Sequence, residues 1–387
     1  MKRRDLLLAA TAVATGAGVS ATLKRESKSS SASNTSSASS LASPNINRGI
    51  KEFRMVTSWP KDFPGLGQMA NRFAQNINDI SGGQLNVKVF AAGELVGALE
   101  CFDAVSTGAA DIYHSAEYYW TGKSKAFAFF TTMPMGMTAS EIMAWVNHGG
   151  GQELWDELSA QFNVKAFQAG NTGHQTGGWF KREMNGLEDF RGLKIRMPGL
   201  GGDVIRRLGG AAVRLAGGEI YQALQSGNID ATEWVGPWND IALGFYREAP
   251  HYYAPGFHEP GASLAVGINL DLWNSLNKTE QAIFSTAAQH ANNMSLGEYT
   301  HQNGVALKTL KDVHGITPKF FSDEIMSEIG RISEDVVADV GTENALAQKI
   351  YQSYKTSRDN SAKWTEMSDG RFIRAREKAL GALSSGQ

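Results

Sequence analysis

One phrase of helix, glycine turn and strand occurs twice in this chain, and it limits the possible folds more than any other feature. Ala216 to Pro237 reads AGGEIYQALQSGNIDATEWVGP. Ile220, Ala223 and Leu224 recur at helical spacing, Gly227 stops the helix, and Ile229 to Val235 is expected as a strand. Phe102 to Asp111 repeats Tyr221 to Asp230 as aromatic, x, Ala, aliphatic, x, Ser/Thr, Gly, x, x, Asp. Two copies about 120 residues apart predict two similarly built lobes rather than a solenoid, whose repeats run ~20–50 residues. Ligands of open α/β sheets gather at the carboxyl ends of strands. That places Glu233 and Trp234 at a cleft edge, where they offer a carboxylate, an indole and a main-chain carbonyl.

The 387 residues are enough for two ordinary cores. Lys and Arg number 37 against 39 Asp and Glu, so no charge excess argues for nucleic acid. The 42 glycines and 20% charged residues fit a turn-rich, globular α/β chain. Cys101 is the only cysteine, which excludes an intramolecular disulfide and leaves the compartment open. The N-terminus speaks to compartment: Lys2-Arg3-Arg4 precedes Leu6-Leu7-Leu8 and a weakly apolar run to about Leu23. This pattern predicts a signal peptide over 1–23 of the twin-arginine kind, with Val19-Ser20-Ala21 as a cleavage site. The Ser-rich stretch 24–50 reads as a disordered tether.

Ordered structure is expected from Lys51, with strands at Phe53 to Ser58 and Leu85 to Phe90. Tyr118-Tyr119-Trp120 follows the strand of the first copy as Trp234 ends that of the second, so each copy is expected to deliver aromatics to the cleft. Gly170-Asn171-Thr172-Gly173 ends another strand and marks a crossing between lobes. Arg196 closes the strand Leu193 to Met197, where its two-donor fork suits a carboxylate. A long helix starts at Asn277 with Glu280 completing its cap, its apolar face running through Ile283, Ala287, Ala291 and Met294. Ile316 to Phe320 is expected as a last strand. Beyond it, Ile325, Ile329, Ile332, Val336 and Val340 form an apolar stripe in a helical block longer than two lobes need.

Catalytic signatures are missing. The histidines form no H-E-x-x-H pair, Gly122-Lys123-Ser124 lacks the first glycine of a P-loop, and no G-x-S-x-G elbow occurs. Gly65-x-Gly67-x-x-Ala70 follows a strand, but through a Trp/Pro loop and with no acidic residue at the end of the next strand. Glu233 or Glu259 acting as general base on a small carboxylic acid is the rival, enzymatic reading.

The phrases GGEIYQALQSGNIDATEW, LKIRMPG and AAGELV, with the arginine-led start, resemble the DctP-type solute-binding proteins of tripartite ATP-independent periplasmic (TRAP) transporters. NTGHQTGGWFKRE, EWVGPWND and the YYW segment are similar to the branch that binds 2-oxo monocarboxylates such as pyruvate. The resemblance implies a type II periplasmic-binding-protein-like α/β fold. Its lobe I would be 51–172 with 262–300, its lobe II 173–261 with 301–321, joined by hinges, and 322–387 a helical extension. It implies a periplasmic protein, not an enzyme, that captures a 2-oxo acid and delivers it to small and large permease subunits. Arg196 would bind the carboxylate. Gln175, Glu233 and the Trp234 carbonyl would hold sodium, or another hard cation such as calcium, as oxygen ligands do. Glu259, Tyr118, Tyr119 and Asn171 would complete the pocket, and the C-terminal helix would pack on a second subunit of a homodimer.

Overall fold

The computed structural model describes residues 49–384; the expected signal peptide and the tether up to residue 48 lie outside the described residues. Among the described residues there are eleven strands: β1 (Lys51–Thr57), β2 (Leu85–Phe90), β3 (Ile112–Ser115), β4 (Val164–Asn171), β5 (Gly178–Phe180), β6 (Lys194–Arg196), β7 (Ala211–Val213), β8 (Ala231–Thr232), β9 (His251–Ala254), β10 (Ser263–Asn269) and β11 (Lys319–Phe320). They form two sheets, β2-β1-β3-β10-β4 in lobe I and β11-β9-β5-β8-β6-β7 in lobe II. β10 returns late in the chain to lie antiparallel between β3 and β4, so the connections β4–β5 and β9–β10 both cross between lobes. No described helix is long and apolar enough to cross a membrane.

The repeated phrase is a repeated structure. Gly108 and Gly227 end their helices at φ +78° and +76°, the left-handed conformation in which a Cβ is strained. Three residues on, each aspartate does the same work. Asp111 Oδ2 accepts from Arg54 N of β1 at 2.7 Å, and Asp230 Oδ2 accepts from Lys194 N of β6 at 3.1 Å. The main chain closes each pair in reverse, Asp111 N to Arg54 O at 3.0 Å and Asp230 N to Lys194 O at 2.7 Å. Each lobe thus starts a parallel strand pair, β1–β3 or β6–β8, from the same helix, turn and acid. The second strand is shorter than expected, pairing only at Ala231–Thr232. Pro237 occupies the first turn of the helix Pro237–Leu243, where its missing N–H costs nothing, and the chain leaves the sheet at Glu233 to reach it.

Asn277 caps the helix Lys278–Asp312 as expected: its Oδ1 accepts from Glu280 N at 3.0 Å, and Glu280 Oε2 accepts from Asn277 N at 2.9 Å. This helix runs unbroken through residue 300, where the sequence reading divides the lobes. Its buried side is Phe284, Ala287, Ala288 and Ala291, while Met294 is exposed. Farther along, Tyr299 and Asn303 reach the lobe II helix Pro237–Leu243. The last strand is only the edge pair Lys319–Phe320 beside β9.

The stripe on the helix Asp323–Val340 needs no partner subunit, because Ile325, Ile329, Ile332, Val336 and Val340 are buried within this chain. An ion pair from Asp339 to Arg207 ties the same helix to lobe II. The next helix, Ala345–Thr365, docks on lobe I: Met137 N donates to Tyr354 Oη at 3.0 Å and Trp145 Nε1 to Ser353 Oγ at 3.0 Å. What remains uncovered lies farther along, where Trp364, Met367, Phe372, Ile373 and Leu380 are each at least half exposed.

Glu117, at the start of the aromatic segment, is fully buried in lobe I and accepts from Tyr113 Oη at 2.5 Å. Burial pushes its carboxyl up to about 8, against the opposing hydrogen bond from Tyr113. In the unfolded chain it titrates near 4.3. Between those values the folded state holds a proton that the unfolded state releases, so this group's contribution falls as pH rises through that window. Glu117→Gln should therefore flatten the loss of stability between about pH 5 and about pH 8 in urea unfolding, and an unchanged slope would show that Glu117 is not the group responsible.

Candidate functional site

The site is built where β6 and β8 end side by side. Arg196 pairs with Thr232 in the parallel register, and Glu233 N donates to Arg196 O at 3.2 Å, so the arginine and the glutamate leave the sheet together. Behind them, Asp240 pins the turn: its carboxylate accepts from Val235 N at 3.3 Å, Trp179 Nε1 at 2.9 Å and Tyr252 Oη at 3.1 Å. Burial raises the Asp240 carboxyl to about 7, although those hydrogen bonds oppose the shift.

Arg196 and Glu233 form an ion pair with side chains 1% and 0% exposed, through Arg196 Nη1 and Glu233 Oε1. Arg196 Nη1 also reaches Glu233 O at 3.2 Å, Nε donates to Leu215 O at 3.3 Å, and the guanidinium lies 4.9 Å from the Trp234 ring centre. Burial would lower the Arg196 pKa, but the charges of Glu233, Tyr119, Tyr118 and Glu259 raise it overall, so the guanidinium stays charged. Its Nη2 has no partner. On the other side of Glu233, Oε2 lies 3.2 Å from His258 Nε2. An ionised carboxylate only accepts, so this contact fixes the imidazole proton on Nε2, and the buried Nδ1 has no partner.

Glu259 completes the cluster. Burial first, then the charge of Glu233, hold its carboxyl well above the usual range, with Arg196 and Tyr118 pulling the other way. Its Oε2 has no partner, nor has the Oε1 of Gln175, whose Nε2 donates to Thr172 Oγ1 at 3.1 Å. The two residues are tied through the main chain, Gln175 N to Glu259 O at 3.0 Å. Buried polar atoms are costly unless something satisfies them. Glu233, His258 and Glu259 each bring a ligand atom within 4.8 Å of the others. With the Gln175 Oε1 nearby this is a donor set rich in oxygens, the chemistry that suits a hard cation, with one imidazole beside it.

Gln175, Glu259 and Trp234 line a small cavity of about 10 Å³ together with Trp59, Leu66, Tyr118, Tyr119, Thr172, Val235 and Leu264. Both tyrosines face it, their rings 4.9 Å apart, whereas Trp120 turns into the lobe I core against Phe102 and Tyr113. Asn171 is buried beside the crossing but does not line the cavity; its Oδ1 accepts from Gly173 N at 2.7 Å and shapes the turn. Trp59, Thr172, Val235 and His258 escaped the sequence reading. Trp59 sits just past the carboxyl end of β1, the position the strand-end rule favours, and its Nε1 donates to His114 Nδ1 at 2.8 Å. A larger, open groove of about 590 Å³ lies between the helix Ala139–His148 and the long helix. Its walls carry amides such as Asn147, Gln168 and Asn292 and no Lys or Arg to receive a carboxylate.

Residues 55–344 match the family model described as bacterial extracellular solute-binding protein, family 7. A monocarboxylate 2-oxoacid-binding periplasmic protein of Nostoc is 42% identical over 370 residues, which is 95% of this chain and 97% of that one. Among solved structures, a TRAP periplasmic solute-binding protein from Pseudoalteromonas atlantica with bound sodium and pyruvate is 36% identical at a TM-score of 0.81, covering 84% of this chain and 99% of that one. Its counterpart from Colwellia psychrerythraea, with bound calcium and pyruvate, is 35% identical at 0.81, with the same coverage. One from Bordetella bronchiseptica, a dimer with calcium and picolinate at its active site, is 31% identical at 0.84, covering 87% and 99%. The enzymatic reading of Glu233 or Glu259 as a general base falls with these matches: this chain belongs to family 7 of the bacterial extracellular solute-binding proteins, which capture solutes for transport.

Proposed function

We propose that the protein binds a small 2-oxo monocarboxylate, pyruvate or another short 2-oxo acid, together with a hard cation in the periplasm. It then delivers the acid to the small and large membrane subunits of a TRAP transporter. The observation that carries this reading is an aromatic cavity lined by Gln175 and Glu259, each with an unpartnered oxygen, and by Trp234, against whose ring lies Arg196 with its Nη2 free. Arg196 takes the carboxylate. Gln175 Oε1, the Glu233 carboxylate and the Trp234 carbonyl hold the cation, sodium in first place and calcium as the other hard candidate. A 2-oxo acid suits such a site because its carboxylate and adjacent keto oxygen can share one ion. Glu259, Tyr118 and Tyr119 close over the short tail. The sodium and calcium pyruvate complexes of the two relatives support the choice of ligand and cation.

On this reading 51–172 with 262–300 and 173–261 with 301–321 move as lobes, with 322–387 as the helical extension. The arginine-led leader 1–23 exports the chain. The extension carries a second proposal, a homodimer. Trp364, Met367, Phe372, Ile373 and Leu380 leave apolar surface on the terminal helices uncovered, and a second copy is the partner that would bury it.

Titration calorimetry with pyruvate should show saturable binding that strengthens when sodium or calcium is added, with no turnover of the acid. Arg196→Ala should weaken it by at least ~2 kcal/mol, since the bound carboxylate loses its charge partner. Unchanged affinity in that variant would remove Arg196 from the site. Glu233→Gln, which keeps the shape but removes a charge from the cation set, should mainly reduce the response to added cation, and an undiminished response would place the ion elsewhere. Light scattering tests the assembly: the full chain should run as a dimer at micromolar concentration and a chain ending after Thr365 as a monomer. A monomeric full-length chain would end the homodimer reading.

A further inference from the structure

Two side chains of lobe II reach across the cleft to main-chain carbonyls of lobe I, and neither lines the cavity. Arg214, the first residue after β7, donates through Nη1 to Tyr119 O. Asn239, in the helix Pro237–Leu243, donates through Nδ2 to Pro64 O at 2.9 Å, and its Oδ1 accepts from Tyr299 Oη of the long helix at 2.7 Å. The acceptors belong to the loops that wall the cavity. Tyr119 faces it directly, and Pro64 lies between Phe63, whose ring meets Trp234 edge-on at 6.3 Å, and Leu66. The Pro64 loop is tightly seated: a Cβ on Gly65, at φ +69°, would come within 2.3 Å of Tyr299 Oη. Asn239 is fully buried, and its neighbour Asp240 holds Val235 N of the binding turn. One helical turn therefore secures the ligand-facing tip to lobe II and clasps it to lobe I.

We propose that Arg214 and Asn239 are positioning residues that hold the lobes closed over the bound solute and so set how long it stays. The solute cannot leave while both carbonyls are engaged, because the Phe63–Leu66 and Tyr118–Tyr119 walls then cannot withdraw. A donor that acts only in the closed form slows escape and leaves entry alone. A cationic side chain at the cleft mouth could instead steer the anion inward, which would act on entry. The two roles separate kinetically.

The proposal rests on the oxo-acid reading for its ligand, and the experiment keeps the two apart. Stopped-flow fluorescence with pyruvate and sodium, reporting on Trp59 and Trp234, should show koff of Arg214→Ala raised about fivefold with kon within about twofold, since a charged donor to a carbonyl is lost. Arg214→Lys, which keeps one donor, should fall between the two. Asn239→Ala should raise koff in the same sense. Because Asn239 is buried and its loss could disturb folding, thermal unfolding accompanies it, and the solvent-facing Arg214 variants decide. In parallel, spin labels at Asp79→Cys and Glu188→Cys, one on each lobe, measure the closed fraction without ligand, which Arg214→Ala should lower. If the parent protein binds no pyruvate with or without sodium, the oxo-acid reading fails and the spin-label distances alone judge the clasp. An unchanged koff together with an unchanged closed fraction overturns the clasp, and so does a change confined to kon.

Discussion

Arg196 and Glu233 lie together out of water, and the rest of the cleft follows from what that requires. Withdrawing a guanidinium and a carboxylate from solvent costs several kcal/mol per ion, and their mutual attraction repays it only with good geometry and further hydrogen bonds. The parallel pairing of β6 with β8 supplies the geometry. Leu215 O, Glu233 O, the His258 imidazole and the Trp234 face supply the remaining contacts. A second buried carboxyl, Glu259, is more than this single positive charge can balance: burial, and after it the charge of Glu233, displaces its titration upward. A cation held by Gln175, Glu233 and the Trp234 carbonyl, as proposed, would favour the ionised form of Glu259. On the proposed function, solute and ion belong to one electrostatic unit.

Much of the architecture was legible because the same local grammar was written twice. Gly108 and Gly227 need the left-handed region that glycine enters freely, and Asp111 and Asp230 need one fixed offset from it to reach the neighbouring strand. Such rules act within about ten residues and survive without tertiary knowledge. Where packing decided, the reading slipped. β8 was expected to run to Val235, but Pro237 draws the chain into a helix, and no local pattern announced how early the sheet would be abandoned. The stripe from Ile325 to Val340 was visible as a stripe, yet an amphipathic face does not say whose core it completes, and here it completes its own.

The site shows the same division. Glu233, Trp234 and Arg196 could be singled out as residues at the carboxyl ends of strands, and the structure brings all three together. Gln175 and Glu259 entered through the family resemblance and now line one cavity. His258, Thr172, Asn239 and Asp240 escaped because their importance lies in partners far along the chain: Glu233 for His258, Pro64 and Tyr299 for Asn239, Trp179 and Tyr252 for Asp240. Trp120 was misread for the converse reason. It continues the Tyr118-Tyr119 phrase, but a short 3₁₀ turn, Glu117–Trp120, directs it inward.

The unpartnered atoms explain why a solute should drive closure. With the lobes together, Arg196 Nη2 and Trp234 Nε1 are donors without acceptors, and Gln175 Oε1 and Glu259 Oε2 are acceptors without donors. Each such atom costs ~1–3 kcal/mol relative to a hydrated or bonded one. In an open cleft water would satisfy all four. The closed form must recover that difference from elsewhere, and cross-cleft bonds such as Asn239 to Pro64 O contribute only part of it. On the proposed function, an anion for the donors and a cation for the acceptors supply the rest. A ligand shifts an equilibrium by its differential affinity for the two states and by nothing else. On the proposed function that difference rests on these unpartnered atoms, with His258 Nδ1 beside them, so a solute lacking a carboxylate could occupy the cleft yet would leave the donors unsatisfied and the lobes free to part.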